Sequence, residues 1–144
     1  MAVTAAFYGL GLTSLFNGEI DFDTNTMKVM LCTSSYTPNI DTHRYKSSVT
    51  NEVSGTGYTA GGATLASKTV TYTTGTNTLT LDAADVTWDP STLTARYAVV
   101  YKDTGTGSTS PLLVLIDFGA DVASSTGPFD ITWDAAGIIT AVAA

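Results

Sequence analysis

Four glycines fall within nine residues in SGTGYTAGG, positions 54–62, a density that suits a loop wrapped round a phosphate. They stand at 55, 57, 61 and 62, so the Gly-x-Gly-x-x-Gly spacing of dinucleotide sites is missed by one residue. A phosphate loop also needs a strand running in and a helix leading out, whose first N–H groups receive the anion. No strong strand pattern precedes Ser54 and no helical pattern follows Gly62. These glycines therefore read as backbone that takes positive φ or lies close against a neighbour. Tyr58, in their midst, reads as an aromatic tip suited to anchoring in a partner's pocket.

Other residue types with chemical potential are sparse. His43 is the single histidine and reads as a surface residue of a polar stretch, with no nucleophile pattern around it. Asp82, Asp85 and Asp89 cluster near Trp88, and two carboxylates about 5–10 Å apart are what glycoside hydrolysis uses. Aspartates at strand ends and bends are also ordinary turn chemistry. EIDFDTN at 19–25 offers alternate carboxylates to a Ca²⁺ ion but lacks the glycine and terminal glutamate of an EF-hand loop. Trp88 and Trp133 suit a sugar-stacking platform, or the core or interface positions that strand tryptophans more often take. Cys32 is the single cysteine and, inside an apolar run, reads as a small buried hydrophobe. No catalytic residue, cofactor site or metal site is assigned.

Composition bounds the rest. At 144 residues the chain is the size of one domain. Charged residues make up 13%, about half the usual share, and mean hydropathy is +0.18. Thr and Ser take over the solvating role, and the segments between turns are rich in Val, Ile, Thr, Tyr and Trp, which favours β structure. Net charge is −7 and the isoelectric point about 4.2. With six scattered basic residues, such a chain is unsuited to holding a nucleic-acid backbone. Asp outnumbers Glu eleven to two, as expected where short strands alternate with turns. The N-terminus lacks the basic and apolar regions of a signal peptide, and no run approaches the ~20 apolar residues of a membrane span, so a soluble protein made in a cytoplasm is expected.

The elements follow from periodicity. Residues 5–17, AAFYGLGLTSLFN, carry apolar residues three and four apart and end on Asn17-Gly18, so a helix is expected there, weakened by Gly9 and Gly11 and needing a packing partner. MKVMLC at 27–32 is apolar almost throughout and predicts a strand buried on both faces. Residues 33–64 show little periodicity and predict a long loop, a common setting for binding. Strands are expected at 65–72, 78–81, 86–88, 95–101, 112–118, 129–133 and 138–142, with hairpin-like turns at 74–77 and 134–137. DVTWD (85–89) and DITWD (130–134) are near copies, readable as equivalent strand ends in two sheets. The fold class is all-β: a β-sandwich, or a jelly-roll-like or barrel form, with residues 1–17 as an N-terminal arm or short helix and 18–144 as the β domain.

LFNGEIDFDTNTMKVMLCTSSYTPNIDTH (15–43), VTNEVSGTGYTAGGATLASKTVTY (49–72), ARYAVVYKDTGTGSTSPLLVLIDFG and DITWDAAGII together resemble a family of small tailed-bacteriophage virion structural proteins. That resemblance covers nearly the whole chain from about residue 8 and implies a non-enzymatic component of a phage particle. An acidic, low-charge, Thr-rich surface suits a place outside the shell, as a capsid cement or decoration protein. The partners expected are the major capsid protein or other virion proteins, and further copies of the chain in a homo-oligomer; nucleic acid and membrane are not expected. Phe7, Tyr8, Leu12, Phe16, Tyr36, Tyr45 and Tyr58 are the residues expected at those contacts. Two other readings stay open: a neck, tail or fibre-attachment protein, and a carbohydrate-binding module for host attachment that uses Trp88, Trp133 and Tyr58.

Overall fold

A computed structural model describes residues 2–143. In chain order the elements are β1 (Thr4–Phe7), α1 (Gly9–Phe16), β2 (Met27–Cys32), β3 (Ala63–Thr64), β4 (Thr69–Thr73), β5 (Thr78–Asp82), β6 (Val86–Ser91), β7 (Thr94–Lys102), β8 (Leu112–Ala123), β9 (Gly127–Ile131) and β10 (Ile139–Val142). They form an all-β, sandwich-like fold with one short helix. Its centre is a five-stranded antiparallel sheet ordered β1-β8-β7-β2-β3, accompanied by a three-stranded sheet β10-β5-β4 and the pair β6-β9.

The central sheet is buried on both faces, as the unbroken apolar run of β2 requires. Val29 and Leu31 of β2, with Ala98 and Val100 of β7, face a large core closed by Leu81, Trp88, Phe129, Ile131 and Ile138. Met30, Cys32, Val99, Tyr101 and Leu112 face a second, smaller core closed by Tyr8 and Tyr36. The β7–β8 register shifts twice, between Ala95 and Tyr97 and between Val100 and Tyr101. Val100 pairs with Val114 and Tyr101 with Leu112, so Leu113 is the extra residue of a bulge and joins Val114 in the large core.

Thr4–Phe7, expected in the arm or short helix, instead form an edge strand paired with Val114–Asp117 of β8, and the helix starts only at Gly9. The reason lies in two residues. Tyr8 is fully buried in the second core, which fixes the chain against the sheet, and its N–H donates to Leu113 O at 2.9 Å. Gly11 lets the helix lie directly on β8, because a Cβ there would collide with the Leu112 carbonyl and sit 3.1 Å from Leu113 Cα. The glycine that weakens the helix is the one that allows it to dock.

The two near-copy segments are not equivalent ends of separate sheets. They pair with each other, Val86 with Ile131 and Thr87 with Asp130, as antiparallel neighbours. The turn at 134–137 forms, with Gly137 N donating to Asp134 O at 2.8 Å, but it joins strands of different sheets. Gly137, at φ +97°, lies against the Thr80 side chain and the Leu81 carbonyl, which directs the chain onto β5.

Candidate functional site

The long segment at 33–64 is packed rather than held out. It contains β3 and a single 3-10 turn at Lys46–Ser48, and it closes the free side of β2. Val53 N donates to Leu31 O at 2.9 Å, β3 pairs with Lys28 and Val29, and Leu31 N donates to the Tyr58 hydroxyl at 3.0 Å. An open strand edge is thereby covered by the chain's own backbone and side chains.

The glycines make that contact possible. Gly57, Gly61 and Gly62 have φ of +85°, +95° and +80°. A Cβ on Gly55 would lie 2.6 Å from Thr92 O, and one on Gly62 would run into the Val29 carbonyl. Close approach and positive φ account for the glycine density. The loop cradles its own strand.

Tyr58 is correspondingly not a tip for a partner's pocket. Its ring lies 5.7 Å from that of Trp88 and packs on the large core. Its hydroxyl donates to Glu52 Oε1 at 2.8 Å, an oxygen that also accepts from Gly61 N at 2.6 Å. Burial raises the Tyr58 phenol well above its ordinary range. Tyr8 and Tyr36 are likewise internal, at 0% and 2% exposure. Their hydroxyls are 3.0 Å apart, and that of Tyr36 is 2.9 Å from His43 Nδ1, with the two rings stacked. His43, read as a surface residue, is half-buried and is the outer end of this relay. Tyr45 donates to Glu19 Oε1 at 3.1 Å. Glu19 Oε2 accepts from Ser14 Oγ at 2.6 Å and from Arg44 at 3.1 Å. The Ser14 hydroxyl, with Arg44 and Tyr45, holds the Glu19 carboxyl below its usual range. This knot ties the helix and the long loop together.

The carboxylates considered for chemistry serve turns and strands. Asp85 Oδ1 accepts from Trp133 N at 2.9 Å, and Asp82 Oδ1 accepts from the neighbouring Ala83 N. In EIDFDTN, Asn25 Oδ1 accepts from Asp21 N and Asn25 N donates to Asp21 O, which closes a turn. Among the described residues no group of three or more His, Cys, Asp or Glu is arranged to hold a metal ion. Trp88 is 7% exposed, packed between Tyr58 and Phe129. Trp133 instead donates through Nε1 to Ala84 O at 3.0 Å. Trp88, Trp133 and Tyr58 therefore do not make an open stacking face.

Grooves lined mainly by apolar residues include one of about 460 Å³ beside β1 and β9, with Ile116, Phe118, Phe129 and Trp133 in its lining, and one of about 530 Å³ between α1 and the three-stranded sheet. The groove beside α1 carries Leu12, Leu15 and Phe16 of the helix with Phe7 of β1 on one side; its sheet side carries Val70, Leu79, Leu81, Ile139 and Ala141. Phe16 stands on the rim at 88% exposure. Three of the residues expected at contacts, Phe7, Leu12 and Phe16, meet here. The sheet wall was signalled by alternation, since Val70 is opposite Leu81, and Leu81 opposite Ile139, so these side chains share a face. Asp21 and Asp23 lie at one end.

No family model, curated protein or solved structure matches this chain. Among the described residues no helix is long and apolar enough to cross a membrane.

Proposed function

We propose that this chain is a non-enzymatic structural protein of a tailed-bacteriophage virion, a capsid cement or decoration protein that stabilises the shell through contacts between subunits. The observation that carries this reading is the apolar groove with Phe16 at its rim. A large aromatic side chain left almost wholly in water beside an apolar trough is costly in a monomer and suits a surface that is covered in an assembly. The sequence resemblance and the low-charge, Thr-rich composition support the same reading. The acidic balance favours protein neighbours on the outside of a shell over packaged DNA.

Phe16→Asp tests it. The side chain is exposed, so the variant should keep the far-UV circular dichroism and melting temperature of the parent. It should lose incorporation into particles when supplied to a phage lacking the gene. Full incorporation of the Phe16→Asp chain would overturn the role given to the groove.

A further inference from the structure

β4 is the outer strand of its sheet, paired with β5 on one side only. Other outer strands are blunted in the ways that prevent edge-to-edge pairing. β3 is two residues long. β6 holds Asp89, Pro90 and a register shift, β9 holds Pro128 and Asp130, and β1 and β10 approach each other. β4 has none of these protections: Thr69-Val70-Thr71-Tyr72-Thr73 is exposed at every position, uncharged, free of proline and in unbroken register with β5.

We infer that β4 is a self-pairing edge, to which a second copy of this chain adds its own β4 antiparallel across a two-fold axis at Thr71. The strand is self-complementary in that register. Thr71 faces its own counterpart, Thr69 faces Thr73, and Val70 faces Tyr72 twice, a β-branched residue against an aromatic on the same face. All five residues pair only in this alignment.

Charge points to the same occupant. Two copies of a chain with net charge −7 repel wherever carboxylates meet, yet β4 and its turn into β5, residues 69–81, contain no charged residue, and the one carboxylate of the hairpin, Asp82, lies across from Thr69 on the strand away from the edge. The flanking Lys68 falls opposite Thr74, so no like charges face each other. Five residues give an edge about 17 Å long, short of the roughly 800 Å² per partner of a standard stable interface. The pairing therefore belongs to the weak, concentration-dependent class. It is a property of the isolated chain and holds whether or not the chain enters a particle.

Light scattering across a concentration series of the full chain reads this directly. The mass should rise from 14.9 kDa towards twice that value and no further. Thr71→Lys places two ammonium groups at the axis and should keep the chain monomeric with unchanged circular dichroism. Thr71→Cys should form a disulfide-linked dimer under mild oxidation, since cross-strand Cβ atoms lie about 5 Å apart. Thr73→Cys, whose counterpart is Thr69, should link far more slowly; Cys32 is buried and does not compete. Phe16→Asp, which leaves the edge intact, should dimerise as the parent does. A mass that stays monomeric to millimolar concentration, growth beyond a dimer, a dimer unaffected by Thr71→Lys, or equal linkage at positions 71 and 73 would each overturn the inference.

Discussion

Tyr58 takes a hydrogen bond from the Leu31 backbone and gives one to Glu52, so one hydroxyl satisfies the edge of β2 and fixes the loop that covers it. Tyr58→Phe keeps the ring against Trp88 but leaves both partners short of a bond. The expected loss is about 1–3 kcal/mol, read as a fall of several degrees in melting temperature; an unchanged melting temperature would mean that the loop is held by its glycine contacts alone. Ionisation sets limits at both ends of the pH scale. Burial raises the phenols of Tyr8, Tyr36, Tyr58 and Tyr101 and pushes the Cys32 thiol up to about 12. These groups are neutral in the fold and ionise more readily once unfolded, so their contribution is complete below about pH 8–9 and is lost as pH rises through and beyond the ordinary range for thiols and phenols. Glu19, Asp103 and Asp117 are held low, by Ser14, Lys28 and Arg96 respectively. Their contribution is present above about pH 4 and disappears on acidification through their folded values. Urea midpoints should therefore be flat near neutrality and fall on both sides. A midpoint at pH 11 equal to that at pH 7 would contradict the burial of the four phenols.

Elements were legible where local pattern and tertiary demand agree. β2, β5, β7 and the start of β8 follow from apolar runs and alternation, because each is packed on a sheet face that the pattern describes. The helix expected over 5–17 forms at Gly9–Phe16 alone: apolar spacing in AAFYGLGLTSLF fits a helix throughout, whereas pairing with β8 and burial of Tyr8 impose a strand on its first part. The loop at 33–64 lacks periodicity for a different reason: it closes an edge and a second core through single residues, Tyr36, Glu52 and Tyr58, which no period reveals. Glycine spacing showed that a close approach was needed without showing to what. The groove was half legible: its helix wall shows in apolar residue type and each strand of its sheet wall in alternation, whereas the register that aligns Val70, Leu81 and Ile139 does not show in the sequence. Removal of residues 1–17, harmless for a detachable arm, should here strip β1 from β8 and Tyr8 from the second core. The truncated chain is expected to be insoluble, or to melt at least ~10 °C below the parent, given losses of several kcal/mol for an emptied core site. A soluble truncation with an unshifted melting temperature would show that the segment is dispensable for folding.

At the scale of the whole molecule, a central sheet buried on both faces consumes most of the large apolar side chains, and Phe16 at the groove's rim is the most exposed of those left outside, which include Val3, Tyr72 and Val142. The polar surface is built from Thr, Ser and Asp instead of mixed charges, so the proposed association would rest on shape and apolar contact more than on salt bridges. Among the described residues three ion pairs, Lys28–Asp103, Arg44–Glu19 and Arg96–Asp117, lie within the chain. A density map of the intact particle is the most direct test of the proposed role. It should show this fold in hundreds of copies with icosahedral order on the outer surface of the shell, the groove and Phe16 covered by a neighbouring subunit. Absence from the particle, a dozen or fewer copies on the portal–tail axis, or Phe16 facing open solvent would contradict it.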